Sequence, residues 1–152
     1  MESLERALAQ HPFLADLDRR YLQRLVRFVS KRSFKALQML FHEGDEANEC
    51  YLICEGRVAL EMPILGCDAI RIQDVAEGEV LGWSWLLPPY QWHFSARAVA
   101  PTQVIALDGR ALRNRFEEDH DLGYELLKRV AQVVVQRPEA TRLRVLNLPG
   151  TR

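Results

Sequence analysis

The amino-acid sequence predicts a mainly β domain: a double-stranded β-helix, or jelly-roll, barrel flanked by N-terminal helices and a long C-terminal helix. Three observations carry this. Between Ser33 and Asp108, short segments rich in Val, Ile and Leu are repeatedly broken by turn residues at Gly44-Asp45, Gly56, Gly66, Gly78 and Gly82. Within these segments side chains alternate: Val58, Leu60 and Met62 against Arg57, Ala59 and Glu61, and Ile70 and Ile72 against Arg71 and Gln73. On both sides of the stretch the apolar spacing becomes helical. Closing or layering such strands hides their edges, which favours a barrel or jelly roll. With 152 residues, 48% of them hydrophobic, the chain can bury one core without disulfides or metal. The expected organisation is one domain over 1–152, with helices over 1–32, the jelly roll over 33–108 and helices over 109–148.

The opening segment reads as helix because Leu4 and Leu8 share a face, and His11-Pro12 interrupts it. Asp16 or Asp18 can cap a second helix whose apolar stripe is Leu22, Leu25, Val26 and Val29. Arg20, Arg24, Arg27 and Lys31 then form a basic stripe on the opposite face, read first as a solvated surface and second as a contact for an acidic partner or an anionic surface. After the strands, a short helix is expected around Arg110 to Phe116, and a longer one opening at Asp119 or Asp121. Its stripe is Leu122, Leu126, Val130, Val133 and Val134. Pro138 should kink or end that helix, because proline removes a backbone donor and clashes with the preceding turn. Helix is expected to resume over Ala140 to Leu148, followed by Pro149-Gly150-Thr151-Arg152.

A formal net charge of -1 lacks the bulk electrostatic footprint of a dedicated nucleic-acid binder. The three cysteines, Cys50, Cys54 and Cys67, do not make a complete disulfide framework, and no signal-peptide pattern opens the sequence, so a cytoplasmic setting is expected. No apolar run reaches membrane-spanning length. The histidines His11, His42, His93 and His120 stand at no familiar metal spacing relative to the cysteines, so no metal and no cofactor is expected.

The run Phe34-Lys35, Phe41-His42-Glu43-Gly44-Asp45 and Tyr51-Leu52-Ile53-Cys54-Glu55-Gly56-Arg57-Val58 resembles the cyclic-nucleotide-binding domain of bacterial Crp/Fnr-type regulators. Gly44 and Gly56 then supply tight-turn backbone, while Tyr51, Ile53 and Val58 face the interior. With Gly78-Glu79-Val80-Leu81-Gly82, Ser95-Ala96 and the trailing helices, the resemblance covers residues 4–147. It implies a phosphate-binding cassette, typically Phe-Gly-Glu, a short helix, then Arg-Ser/Thr-Ala. Helix-start amides and the arginine neutralise the cyclic phosphate, and the glutamate holds the ribose hydroxyl.

Here the matching stretch runs from Leu81 and Gly82 through Trp83, Ser84, Trp85, Pro88, Pro89, Tyr90 and Trp92 to His93, Phe94, Ser95 and Ala96. Trp83 stands at the glutamate position and Phe94 at the arginine position. His93, with a gap, or Arg97 on the same strand face as Ser95, are the available substitute cations. Losing two charged hydrogen-bond partners costs about 3–6 kcal/mol, or roughly two to four decades of affinity. Trp83, Trp85 and Trp92, with Tyr90 and Phe94, either plug the vacated cavity or line a pocket for a less anionic ligand.

The leading functional reading is a non-enzymatic regulatory or sensory module acting through an unidentified small molecule or a protein partner. The sequence stops where the family's helix-turn-helix would start, so no direct DNA binding is expected. A homodimer is expected through the long helix, with Leu126, Val130, Val133 and Val134 as the seam. The second reading is a receptor that still takes a cyclic or related nucleotide, using helix-start amides, Ser84, Ser95 and Arg97 or His93. Catalysis has little support: Ser84 and Ser95 lack a neighbouring base, and Glu117-Glu118 sits at a helix entrance.

Overall fold

Alternation of interior and exterior side chains, punctuated by glycine turns, builds two four-stranded antiparallel sheets. The computed structural model describes residues 2–62 and 70–136. The first sheet has the order β1 (Val29–Phe34), β8 (Thr102–Asp108), β3 (Glu49–Glu55), β6 (Val80–Leu81). The second has the order β2 (Met39–Phe41), β7 (Ser95–Ala98), β4 (Arg57–Met62), β5 (Ile70–Ala76). Except for the consecutive pair β4 and β5, sheet neighbours are not successive in sequence, and the two sheets form the expected jelly roll. Four helices flank it: α1 (Glu2–Gln10), α2 (Arg19–Leu25), α3 (Gly109–Phe116) and α4 (His120–Gln136).

Between the sheets, Phe34 and Tyr51 of the first meet Phe41 of the second, Tyr51 stacking on Phe41 at 6.2 Å and meeting Phe34 edge-on at 6.3 Å. Tyr51, Ile53 and Val58 are buried, as expected. Gly56 turns β3 into β4 with φ +103, and a Cβ there would lie 2.6 Å from the Pro101 carbonyl oxygen, so only glycine fits. In β4 the small Ala59 is buried along with Val58 and Leu60, a departure from strict alternation in a strand paired on both edges.

The second helix is shorter than its apolar stripe suggests. Asp18 caps it, accepting from the Arg20 N–H at 2.9 Å, but α2 ends at Leu25 and a 3-10 turn over Val26–Phe28 leads directly into β1. Val29 and Lys31 are therefore strand residues. The reason is non-local: Val29 to Phe34 find a continuous partner in β8, from Val29 opposite Leu107 to Phe34 opposite Thr102. A six-residue ladder against a buried strand outweighs two more turns of helix.

The C-terminal stripe also requires a correction. Leu122, Leu126 and Val130 are buried within the monomer, and Val133 packs against the same core, so Leu126, Val130 and Val133 hold α4 to its own domain instead of forming a seam. Of the expected seam residues, Val134 alone is on the outer face, and it is joined there by Tyr124, Leu127 and Val135. The Pro138 break, the segment Ala140 to Leu148, Gly66 and Cys67 lie outside the described residues.

Candidate functional site

The cassette stretch starts at Gly82 (φ +96) and crosses to β7 through turns; no helix forms over residues 83–94. The helix-start amides of the nucleotide-receptor reading are therefore not assembled. Pro88 and Pro89 at the exposed tip suit a path of turns.

Trp85 and Trp92 do not form one aromatic cluster, because they enter different parts of the core. Trp92 is 3% exposed and lies flat on Phe41, with ring centroids 3.7 Å apart and planes within 9°. Phe94 meets the other side of this group, tilted at 6.1 Å from Phe41. The resulting column, Trp92 to Phe41 to Tyr51, occupies the space between the sheets. Gly82 is required beside it: a Cβ there would fall 2.5 Å from the Trp92 ring.

Trp85 turns instead towards α3. It is 1% exposed, its indole Nε1–H donates to the Gly82 carbonyl at 3.1 Å, and its ring packs against Gly109 and Phe116. Buried Cys50 interacts with Trp85, and its burial pushes the thiol up to about 12. Cys54 is only half-buried. Trp83 and Ser84 are half-buried in the loop.

The remaining expected site residues lie at the cassette and on β7. His93 is exposed to solvent. The Arg97 guanidinium is paired with the Glu61 carboxylate at 3.3 Å and donates to the Leu37 carbonyl at 3.3 Å. Ser95 Oγ accepts from the Glu43 N–H at 2.9 Å, which ties β7 to the β2–β3 turn, and Ala96 is buried opposite Leu60.

Two contributors escaped the sequence reading. Arg113 of α3 donates to the carbonyls of Trp85 at 2.7 Å and Ala47 at 3.4 Å, and its guanidinium lies 4.0 Å from the Tyr90 ring centroid. Arg32 and Tyr51 converge on Glu49: the guanidinium pairs with the carboxylate, and the phenol donates to it at 2.7 Å. Burial, reinforced by that carboxylate, raises the Tyr51 pKa above its ordinary value. The Arg113 contacts and the Arg32–Glu49 pair link different elements, so no local pattern signals them. Next to Trp92 an open groove of about 650 Å³ runs between Tyr51, Glu49, Asn48, Asp108 and Arg110. Among the described residues no His, Cys, Asp or Glu cluster has metal-holding geometry, and no helix is long and apolar enough to cross a membrane.

The cyclic nucleotide-binding domain family model matches residues 31–119, more than half of the chain. The chain belongs to the cyclic nucleotide-binding domain family. Its fold matches that of a Geobacter metallireducens GS-15 protein provisionally described as cyclic nucleotide-binding, with 31% identity and a TM-score of 0.80 over 90% of this chain and 98% of that one. It also matches the regulatory subunit of a cAMP-independent protein kinase A from Trypanosoma brucei, at 22% identity and a TM-score of 0.69 over 86% of this chain and 47% of that one. An NTE family protein of Mycobacterium tuberculosis, itself uncharacterized, is 27% identical over 136 residues. That alignment covers 89% of this chain and 23% of the relative, so the chain spans under a quarter of the length of the curated relatives it matches. Gly44, Gly56, Gly78 and Gly82, at the turns of the matched region, all take positive φ.

Proposed function

We propose that this chain is a non-enzymatic regulatory module whose nucleotide site is closed by its own side chains, and that it acts through a different ligand or a protein partner. The observation that carries this is Trp92 lying flat on Phe41 at 3.7 Å, where the roll would otherwise be open. A base cannot insert between two rings already stacked at 3.7 Å, which leaves only the open groove beside them for a ligand. The phosphate would also meet Phe94, with Arg97 already committed to Glu61. The fold is shared with the regulatory subunit of a cAMP-independent protein kinase A from Trypanosoma brucei, which is consistent with a regulatory module.

Titration calorimetry with cyclic AMP and cyclic GMP tests the reading. No binding at micromolar concentration is expected; a dissociation constant at or below the micromolar range overturns it. The reduced thiols of Cys50 and Cys54 suit a cytoplasmic setting. Self-association is part of the same proposal, now through the outer face of α4, where Tyr124, Leu127 and Val134 recur at helical spacing.

One observation favours the second reading, a receptor for a related nucleotide: the open groove beside Trp92, with Arg110 on its rim. Nucleotide-dependent thermal stabilisation separates the two, because a ligand that binds only the folded state raises the midpoint.

A further inference from the structure

The basic stripe on the second helix persists in shortened form and gains a member from across the molecule. Lys31 departs with β1, but Arg20, Arg24 and Arg27 stay on α2 and its 3-10 extension, and Arg115 of α3 comes to face them. Together with Gln23 and Phe28 these four arginines line a cleft of about 420 Å³, and no carboxylate is among the lining residues.

The acids beneath the cleft serve to position it. Asp119 receives Arg24 through two contacts of 3.2 Å and Arg115 at 3.9 Å, and it also accepts from the Leu122 N–H at the start of α4. Its side chain is only 10% exposed. Asp18 pairs loosely with Arg20 at 3.7 Å. Arg27 makes no ion pair among the described residues. Four guanidiniums set against two engaged carboxylates leave a surplus of positive charge concentrated in one concavity.

We propose that this cleft is a docking site for an acidic segment of a partner protein. From Arg20 to Arg27 the stripe runs about 10 Å, at roughly 1.5 Å per helical residue. A single phosphate reaches only neighbouring guanidiniums, whereas an extended peptide covers that length in about three residues, with alternate side chains on one side. Carboxylates at alternate positions therefore meet successive arginines, whose planar forks pair with them in bidentate fashion. Phe28 offers an apolar contact to a side chain between them. A concave site opposes a flat lipid surface. The site stands independently of what the cassette binds.

The test is fluorescence polarisation with the intact chain and a labelled synthetic peptide of alternating glutamate with leucine and phenylalanine. The expected result is saturable binding that weakens as salt is raised. The double variant Arg20→Glu, Arg27→Glu should weaken it by at least about tenfold while the melting temperature is retained. Both side chains are exposed and neither holds Asp119, so the fold is preserved. A glutamine version of the peptide should not bind. Equal binding by the double variant, absence of binding by the wild type, or capture by phosphatidylserine vesicles in preference to the peptide would each overturn the proposal.

Discussion

Arg113 and Trp85 are joined by a hydrogen bond of 2.7 Å from the guanidinium Nη1 to the backbone carbonyl, which connects α3 to the cassette loop without using the Trp85 ring. The same guanidinium covers Tyr90 and reaches the Ala47 carbonyl, so one side chain of α3 holds three points on two loops. The cassette needs this clamp because it lacks the hydrogen bonds that a helix over residues 83–94 would have provided.

Arg113→Ala should therefore destabilise the domain by about 1–3 kcal/mol, the range for losing a hydrogen bond to a charged donor. Urea denaturation measures the loss, and Arg113→Lys should recover only part of it, because an ammonium cannot serve both carbonyls and the Tyr90 face in the fork geometry. Wild-type stability in the alanine variant would show that the clamp contributes nothing.

If the stacked pair closes the nucleotide site as proposed, Trp92 should exclude nucleotide more than positions 83 and 94 do. Trp83→Glu with Phe94→Arg is expected to remain silent in calorimetry with cyclic AMP, and to gain binding only when Trp92→Ala is added. Trp92→Ala alone should cost about 3–5 kcal/mol, the range for truncating a large buried aromatic. Nucleotide binding by the double variant with Trp92 intact would show that the ring moves aside.

His11 predicts a pH dependence of folding. Its Nε2–H donates to the Ile53 carbonyl at 3.0 Å, and Nδ1 accepts from the Phe13 N–H at 3.1 Å, so both nitrogens are satisfied in the neutral ring. Burial lowers its pKa below 6.5, against a smaller raising effect of the Ile53 contact. Below pH 6.5 the unfolded chain takes up a proton that the folded chain refuses, so stability present above that value falls with pH until the folded pKa is reached. Urea midpoints measured through this window should decline in the wild type and decline less in His11→Gln. Equal slopes would remove His11 as the cause.

The two faces of α4 should respond differently to the same charge. Val130, 6% exposed, faces the domain's own core, so Val130→Glu should destabilise the monomer by at least about 3 kcal/mol through a buried, unpaired carboxylate. Leu127 is 54% exposed, and Leu127→Glu should leave the melting temperature of the monomer unchanged while abolishing self-association in light scattering. A wild-type chain that is monomeric at high concentration removes the seam.

What the sequence determined by itself was local or periodic. Gly44 and Gly56 marked turns, where they take positive φ, and of the two expected caps, Asp16 and Asp18, it is Asp18 whose carboxylate accepts the Arg20 N–H. Alternation along β4 and β5, with the glycine spacing, pointed to a barrel or jelly roll, and the family resemblance chose the jelly roll. Tertiary structure alone decided where β1 starts, since Val29 follows its β8 partner and not its helical spacing. It also sent Trp85 to α3 and Trp92 to Phe41, and chose which stripe of α4 is covered. Arg113 acquired its role from Trp85 and Ala47, Glu49 from Arg32 on another strand, and Arg115 from the arginines of α2 that it faces. A side chain's burial and its pairing depend on which distant surface arrives beside it, and no local pattern records that.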